Sequence, residues 1–313
     1  MNESERIERR ISLHDMRVLM SVVQAGSMGK AAQRLATSQP AISRAIADLE
    51  HTLGVRLLDR TKLGIEPTAY GAALAERGIA VFDELRRAVQ HIEFLADPTS
   101  GELHIAATLP IATGFGATVI DQMSRRYPRV VIHLSSGPSD MAYRALAERR
   151  VDLVIARLFA PIGKENVTVD ILFDEQEVIV AGANNPLSKR RKLRLSELVD
   201  QPWVLAPEDS LSGTVFVEAF RAARLEPPRA SVVASAAPAR LAMVANRRFL
   251  TIVPKSMLTH SFFHAALKRL PVDLSVTRRP IAITTLKNRT GSPAAKLFID
   301  LAREAAKTIG KLR

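Results

Sequence analysis

Two short helices joined by a three-residue turn constrain this chain more than any other feature. The first helix spans Ser27–Leu35, and the second begins after Ala36-Thr37-Ser38. Ser38 can cap the second helix, and Pro40 lies in its first turn, where a missing N–H breaks no hydrogen bond. The pattern predicts a helix-turn-helix whose second helix enters a DNA major groove. Its apolar residues recur at helical spacing and are expected to be buried: Ile42, Ile46, Leu49 and Leu53.

The outward face of the second helix carries small and polar side chains. Gln and Arg bind base edges or phosphates, Ser binds either, and small Ala and Pro let the backbone approach DNA closely. An ordinary helical hairpin with solvated polar residues is the alternative. The predicted DNA contacts are Ser38, Gln39, Pro40, Ser43 and Arg44, with Lys30 in the first helix and Arg60 and Lys62 downstream.

A strand-turn-strand pattern follows the helix pair. Val55–Arg60 and Ile65–Pro67 flank Thr61–Gly64, with Arg60 and Lys62 near the turn. Such a pattern is typical of a β-hairpin, here a basic wing beside the helix-turn-helix. The wing makes a plain helical hairpin the weaker interpretation.

From Leu13 to Gly71 the chain resembles the LysR-type transcriptional regulators. The motifs that carry the resemblance are Ser38-Gln39-Pro40-Ala41-Ile42-Ser43 and Leu53-Gly54-Val55-Arg56-Leu57-Leu58-Asp59-Arg60. Within the family, Met16–Met20 and Gln24–Met28 are most similar to the branch that includes galactose-binding-protein regulators. The resemblance implies a dimer of dimers, a homotetramer that binds an inverted-repeat promoter site and responds to a small-molecule effector.

The positive charge of the chain does not lie where the DNA-binding motif lies. The net charge is +12, yet residues 1–98 hold 13 Lys and Arg against 13 Asp and Glu. Only locally, between Met28 and Lys62, do basic residues outnumber acidic ones, which is what phosphate contact requires. The basic run Lys189–Arg194 is expected to be a solvated loop rather than a nucleic-acid tail.

A heptad pattern runs through the proline-free segment from Thr68 to Leu95. A period of 3.5 residues over three heptads is typical of a two-helix coiled coil, so we expect a homodimer. The alternative is a helix packed on its own domain, which Gly78 favours. The predicted seam consists of Leu74, Gly78, Val81, Leu85, Ala88, Ile92 and Leu95.

After the breaker Asp97–Gly101, short β-rich runs alternate with helical segments, which indicates an α/β domain. Here the family resemblance implies a two-lobed effector domain like the periplasmic binding proteins. The expected domains are therefore a winged helix-turn-helix at 1–67, a linker helix at 68–96 and an effector domain at 97–313. Lobe 1 is expected at about 101–160 and 271–313, and lobe 2 at about 161–270.

Effector contacts are expected where strands end and helices begin, because free N–H groups and the helix dipole favour polar or anionic ligands there. Arg157 is the most informative position, since an arginine after an apolar strand needs an acidic partner. That partner is an anionic effector or a protein acid such as Glu175. The predicted effector contacts are Thr108, Leu109, Ile111, Gly137, Arg157, Ser212 and Ser235. An anionic or hydroxylated effector, a sugar or an organic acid, is expected.

Other protein classes fit less well. Zero cysteines exclude disulfides and thiolate chemistry. His260 and His264 are one helical turn apart, but Ser261 stands where a metalloprotease has Glu, so neither a metal site nor a cofactor is expected. The absence of phosphate-loop and nucleophile-elbow motifs argues against an enzyme. A charged start and the lack of long apolar runs predict a cytoplasmic protein that does not enter a membrane. A cytoplasmic ligand-binding protein and a non-specific architectural DNA-binding protein are the alternative functions.

Overall fold

The computed structural model describes residues 5, 9–61, 64–158, 166–246, 248–258 and 265–311. The chain forms two compact units, Met1–Val89 and Gln90–Arg313. Across the ranges described, we find no helix with the length and apolar character needed to cross a bilayer.

The amino-terminal unit is built on three helices, α1 (Leu13–Ala25), α2 (Met28–Arg34) and α3 (Gln39–Leu53). The Ser38 hydroxyl caps α3 by accepting a hydrogen bond from the Ala41 N–H, and Gly54 ends the helix in the left-handed conformation at φ 69°. These local signals produce the predicted helix pair. The predicted winged helix-turn-helix is confirmed. Its core contains Val18, Leu19, Val22, Ala31, Ile42, Ile46, Leu49 and Leu57.

The wing is a hairpin of β1 (Leu58–Thr61) and β2 (Gly64–Pro67). Its base is fixed to the helices, because the Glu50 carboxylate accepts the Leu57 and Leu58 N–H groups and Ile65 N–H donates to the Gly26 carbonyl. Gly64 has φ 134°, and a Cβ there would lie 2.7 Å from that same carbonyl oxygen, so only glycine fits without a shift.

The long helix α4 (Ala69–Ala96) follows the wing. Its buried side packs on α1: the Gly78 position lies against Met20, and the Arg17 guanidinium lies over the Phe82 ring. Leu74 is half-buried and packs on the amino-terminal core. The predicted seam is therefore wrong at its first two positions, Leu74 and Gly78, which face their own domain.

The carboxy-terminal unit contains a five-stranded sheet. Strands β3 (Ser100–Ala107), β4 (Arg129–Ser136) and β5 (Leu153–Arg157) are parallel, and β12 (Arg279–Leu286) pairs antiparallel with β5 and β6 (Val167–Glu175). The strand order is β4-β3-β5-β12-β6. Helices α5 (Ala117–Arg126) and α9 (Pro293–Lys311) cover a core containing Phe115 and Phe298. Helix α6 (Ser139–Ala147) packs over β3 and β5.

The second lobe contains two smaller sheets. One is formed by β7 (Glu177–Gly182), β10 (Leu250–Pro254) and β11 (Leu267–Arg269), with β7 in the middle. The other pairs β8 (Val204–Leu205) with β9 (Val232–Val233) in parallel. Helices α7 (Leu211–Ala222) and α8 (Ala237–Ala245) complete the lobe. Trp203, Phe216 and Phe220 pack together in its core, with the Trp203 ring edge to face against both phenylalanines.

The boundary between the lobes differs from the predicted one. We expected lobe 2 to begin at about residue 161, but β6 pairs along its whole length with β12 and belongs to the first sheet. The chain passes into lobe 2 at Gln176, between the last residue of β6 and the first of β7. The placement depends on pairing with a strand more than a hundred residues away, which local alternation does not specify.

Candidate nucleic-acid interface and ligand cleft

The amino-terminal end of α3 presents the predicted DNA contacts together. Ser38, Gln39, Pro40 and Arg44 are exposed and Ser43 is half-buried, while Ile42 and Ile46 anchor the opposite face of the helix in the core. The Gln39 amide oxygen lies 3.6 Å from a Cβ placed at Gly29, so α2 and the start of α3 approach closely there. A small polar surface on a rigid helix results.

Basic side chains surround this surface. Lys30 on α2 and Arg60 on β1 are exposed, and Lys62 lies outside the described residues. Among the residues that the structure describes, no ion pair involves Lys30, Arg44 or Arg60. Their charges are thus available for phosphate oxygens or base edges.

An apolar row on α4 is exposed from its middle to its end. Val81 is 40% exposed, Leu85 45%, Ile92 67% and Leu95 70%, and Ala88 lies exposed among them. Val89, which was not predicted, is 49% exposed and widens the row. Large side chains at heptad spacing are costly to leave in water, so this row is suited to pack against another helix.

Three predicted effector contacts lie along one edge of the five-stranded sheet. Thr108, Gly137 and Arg157 follow or end the parallel strands β3, β4 and β5, whose carboxyl ends meet at that edge. The Thr108 N–H donates to the Ile155 carbonyl, and the Gly137 N–H donates to the Ala107 carbonyl. Leu109 is half-buried beside Thr108.

The remaining predicted effector contacts have different surroundings. Ile111 is 2% exposed and lies in the core of lobe 1, so it does not line a cleft, and that prediction is wrong. Ser212 is half-buried in the first turn of α7, and Ser235 is exposed after β9. The Ser235 carbonyl accepts a hydrogen bond from Arg240.

Arg157 is buried in an ionic cluster that spans the two lobes. Its Nη1 lies 2.5 Å from Oε1 of Glu177, at the start of β7, and both residues are under 9% exposed. Glu175, at the end of β6, accepts the N–H groups of Gln176 and Ser256. Arg240 donates to the Ala234 and Ser235 carbonyls. Glu177 is therefore a direct acidic partner of Arg157.

Burial dominates the electrostatics of this cluster. Burial raises the pKa of Glu177, and the neighbouring Arg157 opposes that rise. Burial also raises the pKa of Glu175, opposed by hydrogen bonds from Ser256 and by Arg157. The pKa of Arg240 is lowered by burial and raised in part by Glu177. Two acids and two arginines thus lie in one buried cluster, and Arg157 is not an isolated receptor for an anion.

Sequence reasoning missed most of this cluster. A usable signal was present: Glu175 and Glu177 flank the point where one strand ends and the apolar run Val178–Ala181 begins. Reasoning also passed over His104 and His133, which lie in the middle of two consecutive strands joined by a helix. A βαβ connection places such strands side by side.

Comparison with known proteins gives consistent matches over both units. Residues 13–72 match the model of the bacterial regulatory helix-turn-helix proteins of the lysR family, and residues 96–307 match the LysR substrate binding domain. The regulator GbpR of Azospirillum brasilense is 27% identical over 304 residues, covering 96% of this chain and 89% of that protein.

Solved structures share the fold. Full-length CbnR in complex with its target DNA has a TM-score of 0.55 at 23% identity, covering 95% of this chain and 100% of that chain. A full-length variant of OxyR from Pseudomonas aeruginosa has a TM-score of 0.64 at 21% identity, covering 95% of each chain.

Proposed function

Because this chain belongs to the LysR family of transcriptional regulators, we propose that it binds promoter DNA sequence-specifically as an oligomer and responds to a small effector. The observation that carries the proposal is the amino-terminal end of α3. There the exposed residues Ser38, Gln39, Pro40 and Arg44 are backed by a buried apolar face and flanked by cations with no acidic partner among the described residues.

Each predicted contact has a separate role in this proposal. Gln39 and Arg44 contact base edges, which supply sequence preference. Lys30 and Arg60 contact phosphates and fix the orientation of the helix on the duplex. Ser38 and Ser43 contact the backbone or base edges, and Pro40 allows close approach. Full-length CbnR, a protein with the same fold, has been solved in complex with its target DNA, which supports DNA binding by this fold.

The exposed row on α4 joins two copies of the chain in this proposal. Val81, Leu85, Ala88, Ile92 and Leu95 pair with the same residues of a second copy, and two dimers form a homotetramer. Pairing presents two recognition helices to the two halves of an inverted repeat, so the modest affinity of each helix is multiplied.

The effector binds between the two lobes in this proposal, near Thr108, Leu109, Gly137, Ser212 and Ser235. Glu177 already pairs with Arg157, which favours a hydroxylated, uncharged effector over an anion. The ionic cluster lies where the chain crosses from lobe 1 to lobe 2. Closure of the two lobes around an effector would therefore move this crossing point and change the spacing of the DNA-binding units.

A nuclease footprint on the promoter region beside the gene that encodes this protein tests the DNA-binding proposal. We expect a discrete protected site with inverted-repeat symmetry in the wild type and weaker protection of that site with Arg44→Ala at the same protein concentration. Arg221→Ala, which removes an exposed arginine on α7, is the matched control and should leave the footprint intact. Uniform protection of random DNA by the wild type would instead support a non-specific architectural protein.

A further inference from the structure

Two histidines and a glutamate lie together on one face of the five-stranded sheet. His104 on β3 and His133 on β4 are directly opposite each other in the parallel register. Glu102 precedes His104 by two residues and so projects from the same face. Leu103, between them, and Ile105, after His104, project to the other face and are fully buried in the core of lobe 1.

The three side chains are close enough to share one ion. The imidazole rings are stacked, with centroids 4.3 Å apart and planes 4° from parallel. His104 Nε2 lies 3.5 Å from Glu102 Oε2, and one ligand atom from each residue lies within 4.8 Å of the other two. Metal–ligand bonds of about 2.0–2.2 Å hold donor atoms about 3–4 Å apart. Glu102 and His133 are exposed, so their side chains have room to rotate and turn their donor atoms toward a shared ion.

The donor set selects the class of ion. Two imidazole nitrogens and one carboxylate oxygen are ligands that zinc, nickel and copper accept, whereas magnesium and calcium prefer oxygen donors throughout. Three protein ligands also leave a coordination position open. The Asp152 carboxylate accepts a hydrogen bond from the backbone N–H of His104 at 2.8 Å. This bond fixes the backbone of the strand at one of the three ligands.

This cluster is separate from the predicted effector cleft. His104 lies on β3, four residues before Thr108, which follows that strand, a separation of about 13 Å at the rise of a β-strand. β4 is the edge strand of the sheet, so an ion held by both strands would tie that edge to β3. We propose that Glu102, His104 and His133 bind one divalent transition-metal ion of the imidazole-preferring class.

Metal titration of the tag-free, chelator-treated full-length protein tests the site. Calorimetry with Zn²⁺, Ni²⁺ and Cu²⁺ should show binding at one ion per chain, and Mg²⁺ and Ca²⁺ should show none. His133→Gln and Glu102→Gln each remove one ligand and should weaken Zn²⁺ binding by about tenfold or more. Both positions are exposed, so the variants should keep the circular dichroism spectrum of the wild type.

Other histidines of the chain supply the controls. His91→Gln removes an exposed histidine on α4 and should leave Zn²⁺ affinity unchanged. The double variant His260→Gln/His264→Gln removes the histidines that are four residues apart in sequence and should also retain the site. Zn²⁺ should raise the thermal midpoint of the wild type by more than that of His133→Gln.

Two results would overturn the metal site. One is a His133→Gln variant with wild-type stoichiometry and affinity. The other is loss of the bound ion in the His260→Gln/His264→Gln variant but not in His133→Gln, which would place the ion elsewhere in the chain.

Discussion

Arg44 and Arg157 show how differently two regions of this protein use the same side chain. Arg44 lies exposed on α3, and no described carboxylate pairs with it. Arg157 lies buried between the lobes, 2.5 Å from Glu177. We predicted both as ligand contacts from the sequence. The comparison teaches that an arginine is available to a ligand when it is exposed and without an acidic partner, whereas a buried one is already committed to a protein acid.

The largest expected effect concerns the exposed row on α4. Leu85→Asp places a charge in that row and should convert dimers to monomers in light scattering. Loss of avidity should weaken binding to an inverted repeat by about 100- to 10,000-fold. Arg86→Asp places the same carboxylate one residue away, outside the predicted row, and is the control. A Leu85→Asp protein that remains dimeric would refute the coiled-coil assignment.

The next effect tests the buried ion pair of Arg157 with Glu177. Glu177→Ala leaves Arg157 buried without the carboxylate that accepts its hydrogen bond. The loss should lower the free energy of unfolding of the carboxy-terminal unit by about 3–5 kcal/mol. Asp121→Ala breaks an exposed pair with Arg125 and should cost less than about 1 kcal/mol. Urea denaturation measures both. If both variants lost the same free energy of unfolding, burial would not explain the different contributions of the two ion pairs.

A smaller effect tests the exposed basic residues of the amino-terminal unit. Lys30→Ala removes one expected phosphate contact, so it should weaken binding to all DNA sequences alike. The slope of log affinity against log salt should fall in magnitude by about one. Fluorescence anisotropy over a series of salt concentrations measures this slope. A change in sequence preference with an unchanged slope would instead assign Lys30 to base contact.

The amino-terminal unit could be predicted almost completely because its signals are local. The Ser38 cap, Pro40 and Gly54 determine where α3 begins and ends, within a short stretch of the sequence. The exposed contacts then follow from helical periodicity. Leu74 and Gly78 were misassigned because a heptad pattern does not say which of two partners, the chain's own domain or a second copy, covers each turn.

The carboxy-terminal unit was less predictable because long-range pairing determines it. The order of strands and helices followed from the sequence, but the place of β6 beside β12 did not. The partner of Arg157 likewise depends on how closely the end of β5 approaches the start of β7. The burial of Ile111 depends on how the segment after β3 packs on the core of lobe 1. Residue spacing contains none of these relationships.

DNA affinity of Arg44→Ala at the footprinted site tests the central claim most directly. If α3 reads base edges, the variant should bind that site about 5- to 150-fold more weakly, the equivalent of about 1–3 kcal/mol, with unchanged oligomeric state and unfolding midpoint. Arg221→Ala should bind as the wild type does. If the Arg44→Ala variant bound this DNA with wild-type affinity and sequence preference, the assignment of α3 as the recognition helix would be contradicted.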